Sequence, residues 1–340
     1  MLVGLQIPIG WVALRLLTGP AEVESLTHSY FAIRIWGAPA SLAMFAILGT
    51  FIGLGQSRRL LRTQLLLNGL NISLDLLFAG TLGWGVRGIA LGTVIAEWTT
   101  LVYALRVVSR LLHEHHADAE AFWPHWRIFD HRVALRTLSA NADIMIRTLF
   151  LLLGFGWFTN LGARVGIEVL AANHILLQFI TTSAYMLDGY ANATETFVGR
   201  AIGARRRATF DAAVRAATSL AAWTAVIAAG VVLLFGGLAI RSLTEHEAVQ
   251  QIAVRFLPLA ALYVMLSFAA FQLDGIFIGA THTREMRNAS IVSFAVFLLA
   301  CWLLVPRADN LGLWVAFEIY IVARSVTLAM QFPALRQTIS

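Results

Sequence analysis

The chain has 340 residues, 59% of them hydrophobic and only 13% charged, and its mean hydropathy is +0.74. That composition excludes a soluble globular domain and defines a polytopic, all-α membrane protein. The formal net charge of +6 rests on 25 basic residues, all of them arginine. They read as loop residues rather than a polar face interleaved with aromatics, which argues against nucleic acid as a partner.

Residues 1–17 lack the basic start and small-residue cleavage site of a signal peptide and read as a membrane helix. Apolar stretches near the roughly 20 residues that cross a hydrocarbon core follow one another at 2–17, 35–54, 60–84, 88–112, 133–158, 167–198, 210–243, 253–280, 291–305 and 311–332. Alternate connections concentrate arginine: Arg58, Arg59 and Arg62, then Arg110, Arg127 and Arg132, then Arg200 and Arg205 to Arg207, then Arg284 and Arg287. By the positive-inside rule these are cytoplasmic, which places the C-terminus inside. Cys301 is the single cysteine and sits in an apolar helix, so neither a disulfide framework nor a thiolate metal site is expected.

The stretch 60–84 carries a polar stripe. Asp75, Asn71, Asn68 and Gln64 recur at helical spacing and share one face. A carboxylate at mid-membrane depth costs roughly 2.5–3.5 kcal/mol, so this face is expected to meet a wet cavity and to mark an ion pathway. The segment Gly83-Trp-Gly-Val-Arg-Gly88 matches a dinucleotide-binding pattern by letter but joins two apolar helices without a strand, and reads as a turn.

A long polar connection at 113–132 divides a first half, residues 1–112 with four spans, from a second half, residues 133–340 with six. His113, His115 and His116 lie in this connection but do not form a metal-binding motif. Gly49-Thr-Phe-Ile-Gly53 followed by Arg58 resembles Gly275-Ile-Phe-Ile-Gly279 followed by Arg284, an internal repeat of the kind transporters carry. Both glycine pairs have the small-xxx-small spacing of close helix packing. Sliding the repeats into register sets Asp75 opposite Cys301, Asn71 opposite Phe297 and Thr93 opposite Phe317. The polar site therefore belongs to one half and is not demanded by the repeat. Equal halves would need two more helices at the start, so the chain reads as ten helices of an original twelve.

Other polar residues fall within spans. Asp143 and Arg147, four apart, are expected to form an intrahelical ion pair. Asp188, Asn192 and Glu195 share a helix face and, with Asn68 and Asp274, are candidates to line a cavity. Glu97 follows Thr93 by one turn and either joins Asp75 or approaches the inner end of its helix.

Several of these stretches together resemble the multidrug and toxic compound extrusion (MATE) transporters, most closely their DNA-damage-inducible (DinF-like) branch. They include Tyr30-Phe-Ala-Ile-Arg34, Asn68-Gly-Leu-Asn71-Ile-Ser-Leu-Asp75, Thr93-Val-Ile-Ala-Glu97, Asn141-Ala-Asp143-Ile-Met-Ile-Arg147, Leu187-Asp188-Gly189-Tyr190 and Asp274-Gly275. The resemblance implies a two-lobe antiporter of the bacterial inner membrane that exports organic, often cationic, compounds in exchange for H⁺ or Na⁺. No catalytic motif within the spans points to an enzyme, and no cofactor or resident metal is expected; the expected partners are small organic substrates and membrane lipid, not nucleic acid, with the chain acting as a monomer. The family's coupling-ion residues match Asp75, Asn71, Thr93 and Tyr30, with amide and hydroxyl donors from Asn71 and Thr93 stabilising the carboxylate. A further aspartate on the family's first helix has no counterpart. Two alternatives stay open: a lipid-linked saccharide flippase, which is expected to hold arginines within its cavity, and a nontransporting remnant.

Overall fold

In a computed structural model, residues 21–115 and 131–339 are described. They form two compact units, Met1–Trp126 and Arg127–Ser340, and among the described residues the secondary structure is helical throughout. Every expected span falls on helix except 2–17, which lies outside the described residues, as does much of the His-rich connection.

The first unit begins with α1 (Ala21–Arg34), which a single 3₁₀ turn at Ile35–Gly37 joins to α2 (Ala38–Gly53). Pro39 occupies the first turn of α2, where its missing N–H leaves no hydrogen bond unmade. Helix α3 (Ser57–Asp75) runs on into a π-helical stretch at Leu76–Thr81. The turn that follows needs two left-handed residues, Gly83 (φ 68°) and Gly85 (φ 52°), and glycine alone adopts that backbone without strain. Helix α4 (Gly85–His115) then returns. Ala40, Met44, Ile47 and Phe51 on α2 pack with Leu101, Ala104 and Leu111 on α4 as one buried cluster, each set at the spacing of a single helical stripe.

The second unit contains α5 (His131–Val165), α6 (Ile167–Gly203), α7 (Arg207–Leu243), α8 (Glu247–Gly279) and α9 (Thr283–Gln337). Helix α9 is two legs. Asp309 breaks it at φ 46°, and Gly312 lies directly against the Leu304 carbonyl, eight residues back, which a continuous helix would hold about 12 Å away. The chain therefore doubles back between the expected spans 291–305 and 311–332. Six described helices are long and apolar enough to cross a membrane, counting α9 once and α1 with α2 as one. Their outward residues, such as Leu220, Trp223, Ile227, Leu234 and Leu238 on α7, are large and apolar, as a lipid-facing surface requires.

The interior of the second unit is layered. One apolar cluster extends along α8 as far as Ala270 and along α9 as far as Ile321. A second takes over from Ile276 on α8 and includes Leu328 on α9. Asp274 and Arg324 fall between the two.

The glycine pairs differ in role. A side chain at Gly275 would collide with the Ala191 carbonyl and one at Gly279 with the Glu195 carbonyl, so α6 and α8 touch backbone to backbone. Nothing described lies within 4 Å of the Cβ position at Gly49 or Gly53. The expectation of close packing thus holds at the second pair, and at the first no such contact is found among the described residues.

Candidate functional site

Asp75 closes α3 at the point where the helix widens into π-helical turns, a distortion that frees backbone groups and recurs at functional sites. Its carboxylate is half-buried and reaches across to α4, where Oδ1 lies 2.7 Å from the position a Cβ would take at Gly92. Only a glycine lets the carboxylate approach this closely. Oδ1 is fully buried and has no hydrogen-bond partner, an arrangement that costs about 1–3 kcal/mol or more for an ionised group.

The helix crossing brings Asp75 beside the Gly92–Thr93 step, but the expected donors do not engage it. The Thr93 hydroxyl instead donates to the Ile89 carbonyl of its own helix at 2.9 Å. Neither Asn71 nor Tyr30 donates to the carboxylate; both are half-buried, and Asn68 is exposed. Threonine satisfies the carbonyl one turn back more readily than a group on another helix. The site is therefore a carboxylate with one buried oxygen that no described group satisfies.

Glu97 has a different partner from either one expected. Arg34 grips it through two nitrogens, Nη1 to Oε2 at 2.8 Å and Nη2 to Oε1 at 2.5 Å. Ser41 donates to Oε1 at 2.7 Å, and Gly37 leaves room for the carboxylate and guanidinium to pass. The pair is half-shielded, with Arg34 28% exposed. Arg34→Ala is expected to destabilise the first unit by up to about 3 kcal/mol by stranding Glu97. Thermal unfolding of the purified protein reads this out, and Arg34→Lys, which keeps the charge but not the fork, should recover part of the loss.

Two calls in the second unit are corrected. Asp143 does not pair with Arg147. It accepts from Arg287 at 2.6 Å and from the Thr283 hydroxyl at 3.1 Å, both at the start of α9. Arg147 pairs instead with Asp274, and Arg324 on α9 binds the same Asp274 oxygen. Asp274 is therefore no free cavity acid. It is 4% exposed and clamped between two guanidiniums. The expectation that arginines stay in loops fails at these two positions, and Arg324, inside the apolar stretch 311–332, was the signal that could have revealed them.

Asp188, Asn192 and Glu195 do share one face of α6, with the first two exposed and Glu195 half-buried. Asp188 interacts electrostatically with Arg147, Arg324 and Asp274. The positions opposite the Asp75 site in the repeat are filled differently. Phe317 is fully buried, with its ring 4.5 Å from those of Phe158 and Tyr263 and 5.9 Å from that of Phe297. Aromatic packing occupies in the second unit what Asn71 and Thr93 occupy in the first, and the buried Cys301 stands opposite Asp75.

These features define a multi-pass membrane protein built of two helical units, with buried ionisable groups at the middle of its helices. The model of the MatE family matches residues 144–303. The chain is 37% identical over 325 residues to DNA damage-inducible protein F of Escherichia coli, covering 96% of this chain and 70% of that protein. It is 26% identical to Protein DETOXIFICATION 43 of Arabidopsis thaliana, over 89% of this chain and 56% of the relative. A Vibrio cholerae MATE transporter, VcmN, superposes with a TM-score of 0.86 at 20% identity, over 99% of this chain and 75% of that one. The chain belongs to the MATE family of membrane transporters, in its DinF-like branch.

Proposed function

We propose that the chain is a cation-coupled antiporter that exports organic, often cationic, compounds across a bacterial inner membrane in exchange for inward H⁺ or Na⁺. The observation that carries the reading is the Asp75 carboxylate, whose buried Oδ1 is unpartnered and backed by Gly92. A buried carboxylate oxygen without a partner favours a cation, and Asn71, Thr93 and Tyr30, which match the family's coupling-ion residues, are proposed to complete its surroundings. The relatives' names support the same reading, because one of them is a probable multidrug resistance protein, NorM of Deinococcus radiodurans. The arginine-rich connections support a cytoplasmic C-terminus.

In this scheme the Asp75 carboxylate holds the organic cation, and H⁺ or Na⁺ displaces it. Exchange follows only if the two conformations bind the coupling ion with different affinity. Asp188, Asn192 and Glu195 on α6 are proposed to line a cavity of the second unit. The flippase alternative gains Arg147 and Arg324 inside the second unit. Both are already bound to Asp274, so neither is available for a pyrophosphate, and the antiporter reading is the stronger.

Asp75→Asn keeps size and hydrogen-bonding capacity while removing the charge. Expressed in cells lacking their own exporters, the full chain should extrude ethidium, and the variant should insert at the same level with efflux reduced to background. Undiminished efflux from Asp75→Asn would remove the assignment.

A further inference from the structure

Glu318 lies in the second leg of α9, 8% exposed, and both of its carboxylate oxygens are buried without a hydrogen-bond partner. Its helix neighbours Trp314, Phe317 and Ile321 are all within the apolar core of the second unit. We propose that Glu318 is a second proton-binding site, located in the second unit and independent of Asp75.

The chemistry follows from what surrounds the carboxyl. An ionised carboxylate in an apolar interior costs several kcal/mol unless a cation or donors compensate it. None does so here. The helices packed on α9 bring Tyr263 from α8, which interacts electrostatically with Glu318 and also with Arg324 and Tyr320 on α9 itself. The charge of Arg324 is committed to Asp274, as is that of Arg147 on α5, while Asp188 on α6 faces that same cluster. Asp143 on α5 and Arg287 on α9 neutralise each other. Glu318 thus has no counter-ion among the described residues, and a proton is the ligand that makes it compatible with its surroundings.

Buried polar side chains share the same leg. Asn310, Trp314 and Glu318 follow at intervals of four on one face of the leg. Asn310 and Asn173 on α6 exchange two hydrogen bonds at 2.7 and 3.1 Å, and the Trp314 indole N–H donates to Asn173 at 2.9 Å. This hydrogen-bonded group lies between the reversal at Asp309 and Glu318, and no hydrogen bond joins it to the acid. Binding forms one O–H bond at a Glu318 oxygen and release breaks it, with the proton coming from and returning to water. Joined to the antiporter reading, on which this consequence alone rests, two proton sites in two units allow more than one ion per transport cycle.

Infrared difference spectra of the purified full chain in lipid nanodiscs, recorded as the pH is raised, test the proposal. A carbonyl band of a protonated carboxyl should vanish towards alkaline pH in the parent and be missing from Glu318→Gln. A parent spectrum with no such band, or a band assigned to Glu318 that persists at every pH, overturns it, since the acid would be either always ionised or merely structural. If Glu318→Gln does not fold, an apolar carbodiimide, which adds only to protonated carboxyls, decides on the parent. The Glu318 peptide should carry the adduct at acid pH and lose it at alkaline pH, and an adduct that is absent or unchanged throughout overturns the site. Efflux is scored separately: a titrating Glu318 in a chain that moves no substrate leaves the site standing and removes the antiporter reading instead.

Discussion

Asp274→Ala is expected to cost the second unit about 3–5 kcal/mol, the penalty for leaving buried charges without their partner. Two guanidiniums lose the oxygen they share, and both are shielded, with side-chain exposures of 16% for Arg147 and 4% for Arg324. Asp188 is close enough to interact with them, which keeps the loss towards the lower end. Against a total stability of about 5–15 kcal/mol, that is enough to make the protein aggregate on extraction into detergent. The cause is separable from the loss of an aspartate as such. Adding Arg147→Met and Arg324→Met to Asp274→Ala replaces the whole cluster by apolar volume and should restore most of the stability. Thermal unfolding of the three proteins checks this, and a single variant as stable as its parent would show that the cluster is not what holds α5, α8 and α9 together.

Gly275→Leu should be as damaging for a steric reason. Ordinary overpacking of a core costs about 1–3 kcal/mol because side chains rotate away. Here the obstacle is the backbone carbonyl of Ala191, which has no rotamer to adopt, so the α6–α8 contact must open. Little folded protein should be recovered. Gly49→Leu serves as the contrast, because no described residue lies within 4 Å of that Cβ position and replacing a mid-helix glycine gains up to about 1 kcal/mol from propensity. Equal yields of the two variants by size-exclusion chromatography would contradict the packing described.

Much of this was legible in the sequence because the signals are local. Apolar runs of spanning length marked the helices, and Gly83 and Gly85 marked the turn where the left-handed backbone was needed. Of the polar stripe, Asp75 reaches α4 beside Gly92, while Asn68 is exposed. What escaped were pairings set by tertiary packing. Arg34 and Glu97 are 63 positions apart, and nothing in either neighbourhood announces the other. Asp143 and Arg147 suggested a local pair by spacing, yet Arg287 and Asp274 lie on the helices packed against that face and capture them. A short-range rule loses when two stronger partners arrive from outside the helix. The role of Gly92 was equally hidden, because a glycine that makes room for a carboxylate looks like any other glycine in an apolar run. The difference between the two glycine pairs was hidden too, since identical spacing gives no hint of what each meets.

The central claim is that Asp75 couples ion movement to substrate movement. It is tested most directly in everted membrane vesicles carrying the full chain, by imposing a gradient of H⁺ or of Na⁺ and adding ethidium. The account predicts that ethidium accelerates collapse of one of the two gradients in the parent and of neither in Asp75→Asn. An equal acceleration in both proteins would show that the coupling ion passes elsewhere and would contradict the assignment.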